Sequence, residues 1–421
     1  MTTVGPTKGT HGPPKGLGPL QKTEARLAWG LLFPTIFSVS LVVILPLLAI
    51  FWISFKPVQL QDLRAPTAFI NETLRGSPEA AGDSATIRYT VRNSHAERSL
   101  TGVTFTDLIP DGLTVGELDP RCRIDDATLF CDLGTFTGGM SERILVPVTV
   151  GAAYFDEGQN VRGSDPVSTG QGDNILTNLE FTLDNFVKVF NARDFWQVLY
   201  ATTFYTVFGT IGALVFGLFA AQLLNKSFHG KGFMRGLFLF PYVAPVIAVA
   251  LTWVNLFDPS SGSINALLLQ MGLTQESINF FGQRPLALIM VTVFEIWRYF
   301  PLSFLFILAR MQSIDSDMYE AADMDGASPF QKFWYLSLPQ LAGILSVLFL
   351  LRFIWTFNKF DDIFLLTGGN AGTLTLTVNV YKQAFAISNI GAGAAVAVVI
   401  FCVLLLFSFF FFRIISREEG L

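Results

Sequence analysis

Charge is scarce in this chain. Asp, Glu, Lys and Arg make up 14% of its 421 residues, while 51% are hydrophobic. That balance argues against an ordinary soluble globular protein and for a chain embedded in a membrane. Histidine is scarcer still: His11, His95 and His229 are the three present, and they fall in segments assigned below to different sides of a membrane, so they do not form one site. No HExxH and no paired Cys/His ligand spacing occurs, which argues against a structural or catalytic zinc site. No G-x-x-x-x-G-K-[ST] phosphate loop occurs either, so the chain does not bind ATP in that way. It reads as no enzyme, with no cofactor of its own and no nucleic-acid partner. Cysteine is limited to three residues. Cys402 lies in an apolar run, whereas Cys122 and Cys131 lie close together in a polar stretch; the pair forms a disulfide if its side of the membrane is oxidising, and is otherwise two reduced thiols.

Long apolar runs, by contrast, are plentiful. A helix needs about 20 mostly apolar residues to cross the hydrocarbon core. Six runs qualify: Trp29–Phe55, Val198–Leu224, Met234–Phe257, Leu286–Ala309, Leu341–Phe357 and Gly393–Ile415. The first is too long for a cleaved signal peptide. Lys and Arg in short connections set orientation. Lys8, Lys15, Lys22 and Arg26, then Lys226, Lys231 and Arg235, then Arg310 and Lys332, and finally Arg413 and Arg417 all fall on one side if both termini are cytoplasmic. The opposite connection, Asp258–Pro285, carries Arg284 alone. The tail, residues 1–28, is rich in Gly, Pro and Thr in its first part and is expected to be disordered ahead of a first span over 29–56.

Residues 61–172 differ in composition and contain no run long enough to span. Ala85–Arg92, Gly102–Asp107 and Ile144–Val150 alternate apolar and polar residues with Thr and Val, the pattern of half-buried strands. Pro110-Asp111-Gly112 and Gly138-Gly139 punctuate them. Short strands at this spacing predict an inserted all-β sandwich, placed by the orientation above outside the cytoplasm. The phrases YTVRN, LTGVTFTDLIPDGLTV and CDLGTFTGG resemble a bacterial Ig-like surface repeat of the DUF11 kind, present once. Cysteines are common in that repeat, and the resemblance implies a Cys122–Cys131 bridge. The domain either docks an external solute-binding protein or serves as a passive spacer or a cell-envelope contact.

Residues 319–339 read YEAADMDGASPFQKFWYLSLP. Ala321 and Ala322 favour helix, Gly326 ends it, and Pro329 suits the first turn of another. Phe330, Phe333 and Trp334 then form an apolar stripe. Such a hairpin fits a groove of a partner protein, or rests on the bilayer. The segment resembles the EAA motif of binding-protein-dependent ABC permeases: Glu320-Ala321-Ala322, Gly326 six residues after the Glu, and Leu336-Ser337-Leu338-Pro339 beyond. Leu336 stands where the family usually has Ile. The resemblance implies a coupling loop over 310–340 that docks an ATPase subunit, with Glu320, Ala321, Ala322, Asp325, Gly326, Phe330, Leu338 and Pro339 as the coupling residues.

Other stretches resemble the sugar branch of these permeases, the maltose and glycerol-3-phosphate type: PTIFSVSLVVILPLLAIFWISF (34–55), FTLDNFVKVFNARDFWQVL (181–199), residues 231–268, WRYFP (297–301), FNKFDDIFLLTGG (357–369) and YKQAF (381–385). Gly368-Gly369-Asn370-Ala371 departs from the Gly-Gly-Pro run of many members. The resemblance implies an all-α membrane protein of the type I ABC importer permease fold, with six transmembrane helices, a core over 181–421 and the β domain inserted after the first span. It further implies a second, homologous permease subunit, two ATP-binding cassette subunits that bind ATP and Mg, an external solute-binding protein and a sugar-like solute, at a bacterial plasma membrane. Importers of amino acids, peptides or anions, an ion-coupled secondary transporter, and a membrane-anchored surface protein are the other readings. No inverted repeat or broken helix is expected from the sequence, which argues against the secondary transporter.

Ionisable residues inside spans are functional candidates by default. Glu295 and Arg298 stand three apart and can pair on one helix face, and Arg352 lies in the fifth run. A pathway for a polyhydroxylated solute needs hydrogen-bonding groups and aromatic faces. Asn255, Trp297, Tyr299, Trp355, Asn358, Asn379 and Tyr381 are the candidates, each also suited to holding helices together or to an interfacial position.

Overall fold

The computed structural model describes residues 19–155, 161 and 164–418. The chain separates into two units, Met1–Trp52 and Ile53–Leu421. Among the described residues five helices are long and apolar enough to cross a membrane, and six if one sharply bent pair counts as a span.

The described residues of the first unit form one long helix. It opens as α1 (Pro19–Val39), passes through a π-helical turn (Ser40–Ile44) and continues as α2 (Leu45–Ser54), which ends in the second unit. The expected disordered tail over 1–28 is therefore corrected from Pro19 onward, because Leu20, Ala25, Arg26, Leu27 and Ala28 are good helix formers that outweigh the Gly and Pro before them. Residues 1–18 lie outside the described residues. The π turn ends immediately before Leu45-Pro46. A proline within a helix clashes with the carbonyl four residues back, and a turn of wider pitch relieves it.

Two short stems leave and rejoin the helical part of the second unit at one place. Thr182 donates from its backbone N–H to Phe55 O at 2.7 Å. The buried Asn185 amide bridges Ser54 O at 2.9 Å and Lys56 O at 2.7 Å. Lys56 is fully buried and its ammonium donates to Asn178 Oδ1 at 3.0 Å. The outgoing stem also bonds the start of the last span, through Leu60 N to Ser388 O and Gly391 N to Val58 O, both 2.8 Å. Gly391 is required there: a Cβ would sit 2.4 Å from Lys56 O. A 3-10 turn, Leu60–Leu63, carries Asp62, whose carboxylate accepts from Gln59 N, the His95 ring and Arg98 and so fastens the stem to the inserted domain.

Among the described residues the inserted domain has eight strands: β1 (Ala68–Arg75), β2 (Ser84–Asn93), β3 (Leu100–Leu108), β4 (Leu113–Val115), β5 (Cys122–Asp125), β6 (Thr128–Phe136), β7 (Ser141–Val150) and β8 (Val167–Gln171). They form two antiparallel four-stranded sheets, ordered β1-β2-β7-β4 and β5-β6-β3-β8. Alternate residues of β2, β3 and β7 point inward, so that Ile87, Tyr89, Val91, Val103, Phe105, Ile144, Val146 and Val148 make the core. β5 and β6 are joined by two left-handed residues, Asp126 and Ala127, which set Cys122 directly across from Cys131; the two are bonded.

The core also encloses two carboxyl groups. Glu72 on β1 and Asp107 on β3 are both nearly buried. Tyr89 donates to Asp107 at 2.5 Å, and Ser164 donates to Glu72 at 3.1 Å. Burial and the neighbouring Asp107 push the Glu72 carboxyl from 4.5 up to about 7. The folded state thus holds its proton more tightly than the unfolded chain does. The associated stability is complete below about pH 4.5 and is lost as pH rises through about 7, to an extent on the order of 1–3 kcal/mol. Urea denaturation of the β domain followed from pH 5 to 8 is expected to show this fall, and Glu72→Gln to flatten it. An equal slope in both proteins would remove Glu72 as the cause.

The remaining helices are α3 (Asp184–Phe190), α4 (Phe195–Asn225), α5 (Lys231–Val243), α6 (Val246–Leu256), α7 (Ser263–Gln270), α8 (Leu286–Met311), α9 (Ser316–Met324), α10 (Pro329–Lys332), α11 (Leu338–Phe357), α12 (Asp361–Thr367), α13 (Leu376–Tyr381) and α14 (Ile390–Glu418). Helices α4 and α8 pack face to face through small residues: a Cβ on Gly217 would meet Ser303 Cβ at 2.6 Å.

Two runs differ from the sequence reading. The third, Met234–Phe257, is not one straight helix but α5 and α6, bent by 89° at Ala244-Pro245. Pro245 disfavours helix at the residue before it, and Ala244 is extended. The expectation of no broken helix is corrected accordingly. The fifth is not the short Leu341–Phe357: helix runs from Pro329 to Phe357 through a π-helical turn at Phe333–Ser337. That turn again ends just before Leu-Pro, here Leu338-Pro339, so that the proline continues the helix rather than closing the loop.

Candidate functional site

Two assemblies stand out, a hairpin between α8 and α11 and a charged network inside the helical core. The hairpin begins with Asp315, whose side chain accepts from Asp317 N at 3.1 Å and caps α9. The helix ends in a Schellman turn. Ala327 N donates to Ala322 O at 2.9 Å, Gly326 N donates to Asp323 O at 3.0 Å, and Gly326 has φ +73°. Ser328 and Gln331 then form a reciprocal capping box around Pro329, the first residue of α10. Three contacts close the hairpin. Tyr319 OH meets Ser337 Oγ at 2.9 Å, Lys332 pairs with Asp323 at 2.5 Å, and Arg310 donates to Gln340 O at 3.3 Å.

Of the eight coupling candidates, Glu320, Ala321, Asp325, Gly326, Phe330 and Pro339 are exposed, while Ala322 and Leu338 are half-buried. Phe330 is 71% exposed, and Met324 at 89% and Tyr335 at 77% are further bare apolar side chains on the hairpin. A rigid hairpin displaying large apolar side chains beside acidic ones presents a surface suited to a protein groove. Met324 and Tyr335 were missed by the sequence reading, which followed the aromatic stripe alone.

The network centres on Glu295 of α8, which is fully buried. Its Oε1 accepts from Arg352 Nη2 at 2.6 Å and from Thr356 Oγ1 at 2.9 Å, both on α11, and its Oε2 accepts from Tyr205 OH of α4 at 2.9 Å. The expected pairing of Glu295 with Arg298 is corrected. Arg298 points instead to the break between α5 and α6, donating to Pro241 O at 3.2 Å and Ala244 O at 3.1 Å. Those carbonyls lose their helical partners at the bend, and the guanidinium supplies donors in their place. The cations of Arg298, Arg352 and Lys359 stand 5.6, 4.6 and 4.4 Å from the centre of the Tyr299 ring.

Beside this network lies a cavity of about 140 Å³, lined by Tyr242, Glu295, Tyr299, Leu302, Arg352, Trp355, Thr356 and Lys359.

Residues 213–419 match the family described as Binding-protein-dependent transport system inner membrane component. The chain is 35% identical over 218 residues to the inner membrane ABC transporter permease protein YcjO of Escherichia coli, covering 51% of this chain and 73% of that protein. It is 34% identical over 209 residues to the trehalose/maltose transport system permease protein MalF of Thermococcus litoralis, covering 50% of this chain and 70% of that one. The chain belongs to this permease family. The permease fold is also shared with a bacterial ABC transporter involved in the import of the acidic polysaccharide alginate, at a TM-score of 0.54 and 20% identity, over 57% of this chain and 85% of that one. Members of the family are permease subunits rather than enzymes, and the permease is a multi-pass membrane protein.

Of the pathway candidates, the permease brings Tyr299 and Trp355 to the cavity wall and places the others elsewhere. Trp297 packs on Trp253 at 5.4 Å between ring centres, and Tyr381 packs on Phe360 and Phe364. Asn358 donates to Ile354 O within its own helix, Asn379 accepts from Gln383, and Asn255 is exposed. Tyr242, Thr356 and Lys359 were not legible as wall residues. Lys359 lies just past α11, and nothing in its spacing marks it.

A buried ion pair is costly to break from one side. Removing one partner strands the other and costs about 3–5 kcal/mol, whereas replacing both with apolar residues is often neutral. Arg352→Met is expected to lower the thermal stability of the detergent-solubilised permease sharply, and Glu295→Leu with Arg352→Met to recover most of the loss. Equal damage in the single and double variants would show that the pair does more than satisfy its own charges.

Proposed function

We propose that the permease is a membrane-spanning subunit of an ATP-driven, binding-protein-dependent importer for a sugar or sugar-like solute. The single observation that carries this is the hairpin over 310–340: its Schellman turn at Gly326 and capping box at Ser328 hold Phe330 out as a bare aromatic, with Glu320 also exposed on the hairpin. Two ATP-binding cassette subunits dock on this hairpin and on that of a second, homologous permease subunit, and they bind the ATP and Mg. Glu320, Ala321, Ala322, Asp325, Gly326, Phe330, Leu338 and Pro339 form the docking face. Closure of the ATPases pushes the hairpin, and the spans switch as rigid units.

The sugar assignment is supported by the relatives, which include the trehalose/maltose permease above and the sn-glycerol-3-phosphate transport system permease protein UgpA of Escherichia coli. The cavity between Tyr242, Tyr299 and Trp355 offers aromatic faces and polar groups together, as sugar sites do. Both termini and the hairpin face the cytoplasm of a bacterium, by the Lys and Arg of the short connections. The β sandwich then lies outside the plasma membrane, where Cys122 and Cys131 meet an oxidising compartment. There it docks the external solute-binding protein. A periplasmic protein carrying an alginate pentasaccharide accompanies the alginate transporter in a related structure.

Affinity purification of the unaltered chain from its own cells is expected to bring down an ATPase and a second permease. Glu320→Ala and Phe330→Ala are each expected to lose the ATPase, by at least about tenfold for Phe330→Ala if it fills a buried pocket, and to retain the second permease. Recovery of no ATPase by the unaltered chain would end the importer reading.

A further inference from the structure

The wall of the cavity is unbalanced in its hydrogen-bonding groups. Its carboxylate, Glu295, is committed to Arg352, Thr356 and Tyr205. Thr356 spends its hydroxyl proton on Glu295, and the Tyr299 oxygen accepts from Lys359. Donors, in contrast, remain. Arg352 uses Nη2 on Glu295 but its buried Nε has no acceptor. Tyr242 and the Trp355 indole stand at the wall with no hydrogen bond among the described residues. Two cations and one carboxylate line the space. Lys359 is shared with Asp361 at 3.3 Å and Asp362 at 3.9 Å, neither of which lines it. A hydroxyl both gives and takes a hydrogen bond, whereas an ionised carboxylate or phosphate only takes. The acceptors left at the wall are the neutral hydroxyl oxygens of Tyr242 and Thr356, whereas its donors include two cations, so the charge of the wall favours the second kind of group, through charge-assisted bonds to Arg and Lys.

We propose that this cavity takes an acidic polyhydroxylated solute, a sugar acid or sugar-type phosphate, with Lys359 and Arg352 facing its anionic group and the rings of Tyr242, Tyr299 and Trp355 facing its carbon skeleton. The inference rests on the importer reading above and narrows its solute class. A cavity of about 140 Å³ is smaller than the roughly 300–1,000 Å³ typical of sites that enclose a whole small molecule. It therefore receives a single residue of the solute rather than a long chain.

Two matched probe pairs test this on the full chain in lipid nanodiscs: D-glucuronate against D-glucose, and sn-glycerol 3-phosphate against glycerol. Binding is read by tryptophan fluorescence, with Trp355→Phe to assign the signal, and by the shift in melting temperature. At least one acidic member is expected to bind about tenfold or more tightly than its neutral partner, the scale of one partly buried charge contact. Inorganic phosphate is expected to displace the acidic probe from the unaltered chain, and Lys359→Gln to collapse the preference. Neutral members binding as well as the acidic ones, absence of acidic binding in both pairs, or no displacement by phosphate each overturns the proposal. Co-purification of the ATPase is scored separately. An ATPase recovered without acidic preference keeps the importer and discards the acidic solute, whereas acidic preference without an ATPase keeps the site and discards the importer.

Discussion

One carboxylate in the middle of an apolar bundle sets the terms for the helices around it. Glu295 is fully buried on a span, where a bare charge would be intolerable. Its three hydrogen-bond partners draw on α4 through Tyr205 and on α11 through Arg352 and Thr356. Three helices are thereby fixed in rotation about their axes as well as in distance. Lipid offers no hydrophobic drive for helices to associate, so polar satisfaction and the close approach at Gly217 carry the assembly. Arg298, one helical turn on, does for the bend between α5 and α6 what Arg352 does for Glu295: it answers polar groups that the fold has bared.

The same local rule explains three irregular places in the helices. Pro46 and Pro339 each follow a π-helical turn, and Pro245 lies within an 89° break. Each proline removes a donor and crowds the carbonyl behind it. Where the preceding residues could widen, the helix continued; at Ala244 the chain went extended instead. In the hairpin the widened turn lets α10 and α11 run as one rod, so the apolar face displayed by Phe330 is in line with a span rather than hinged to it.

Much of this was legible in the residues. Length and hydropathy located the spans, because twenty apolar residues have few other uses. Alternation in Ala85–Arg92, Gly102–Asp107 and Ile144–Val150 marked strands that became parts of β2, β3 and β7. The local turn chemistry of Gly326, Ser328 and Pro329 spelled out the hairpin, since caps are set by neighbours in sequence. What escaped is long-range. Spacing on one helix suggested Glu295 with Arg298, yet the partner of Glu295 came from 57 residues away. The aromatic residues named for a pathway were chosen by type, and type does not say which side of a helix they occupy. Trp297 and Tyr381 went to aromatic clusters, whereas Lys359, unremarkable in sequence, arrived at the cavity.

The stems of the β domain carry a consequence for how such a chain came to exist. The chain leaves the helical part at Phe55 and returns at Thr182 across a single backbone hydrogen bond of 2.7 Å. With exit and return so close, a shorter connection could close the same gap. Genes can therefore gain, lose or exchange the whole sandwich at this joint without altering the register of any helix on either side. The helical part thus has one joint at which a self-contained sandwich with its own core hangs, its exit and its return side by side.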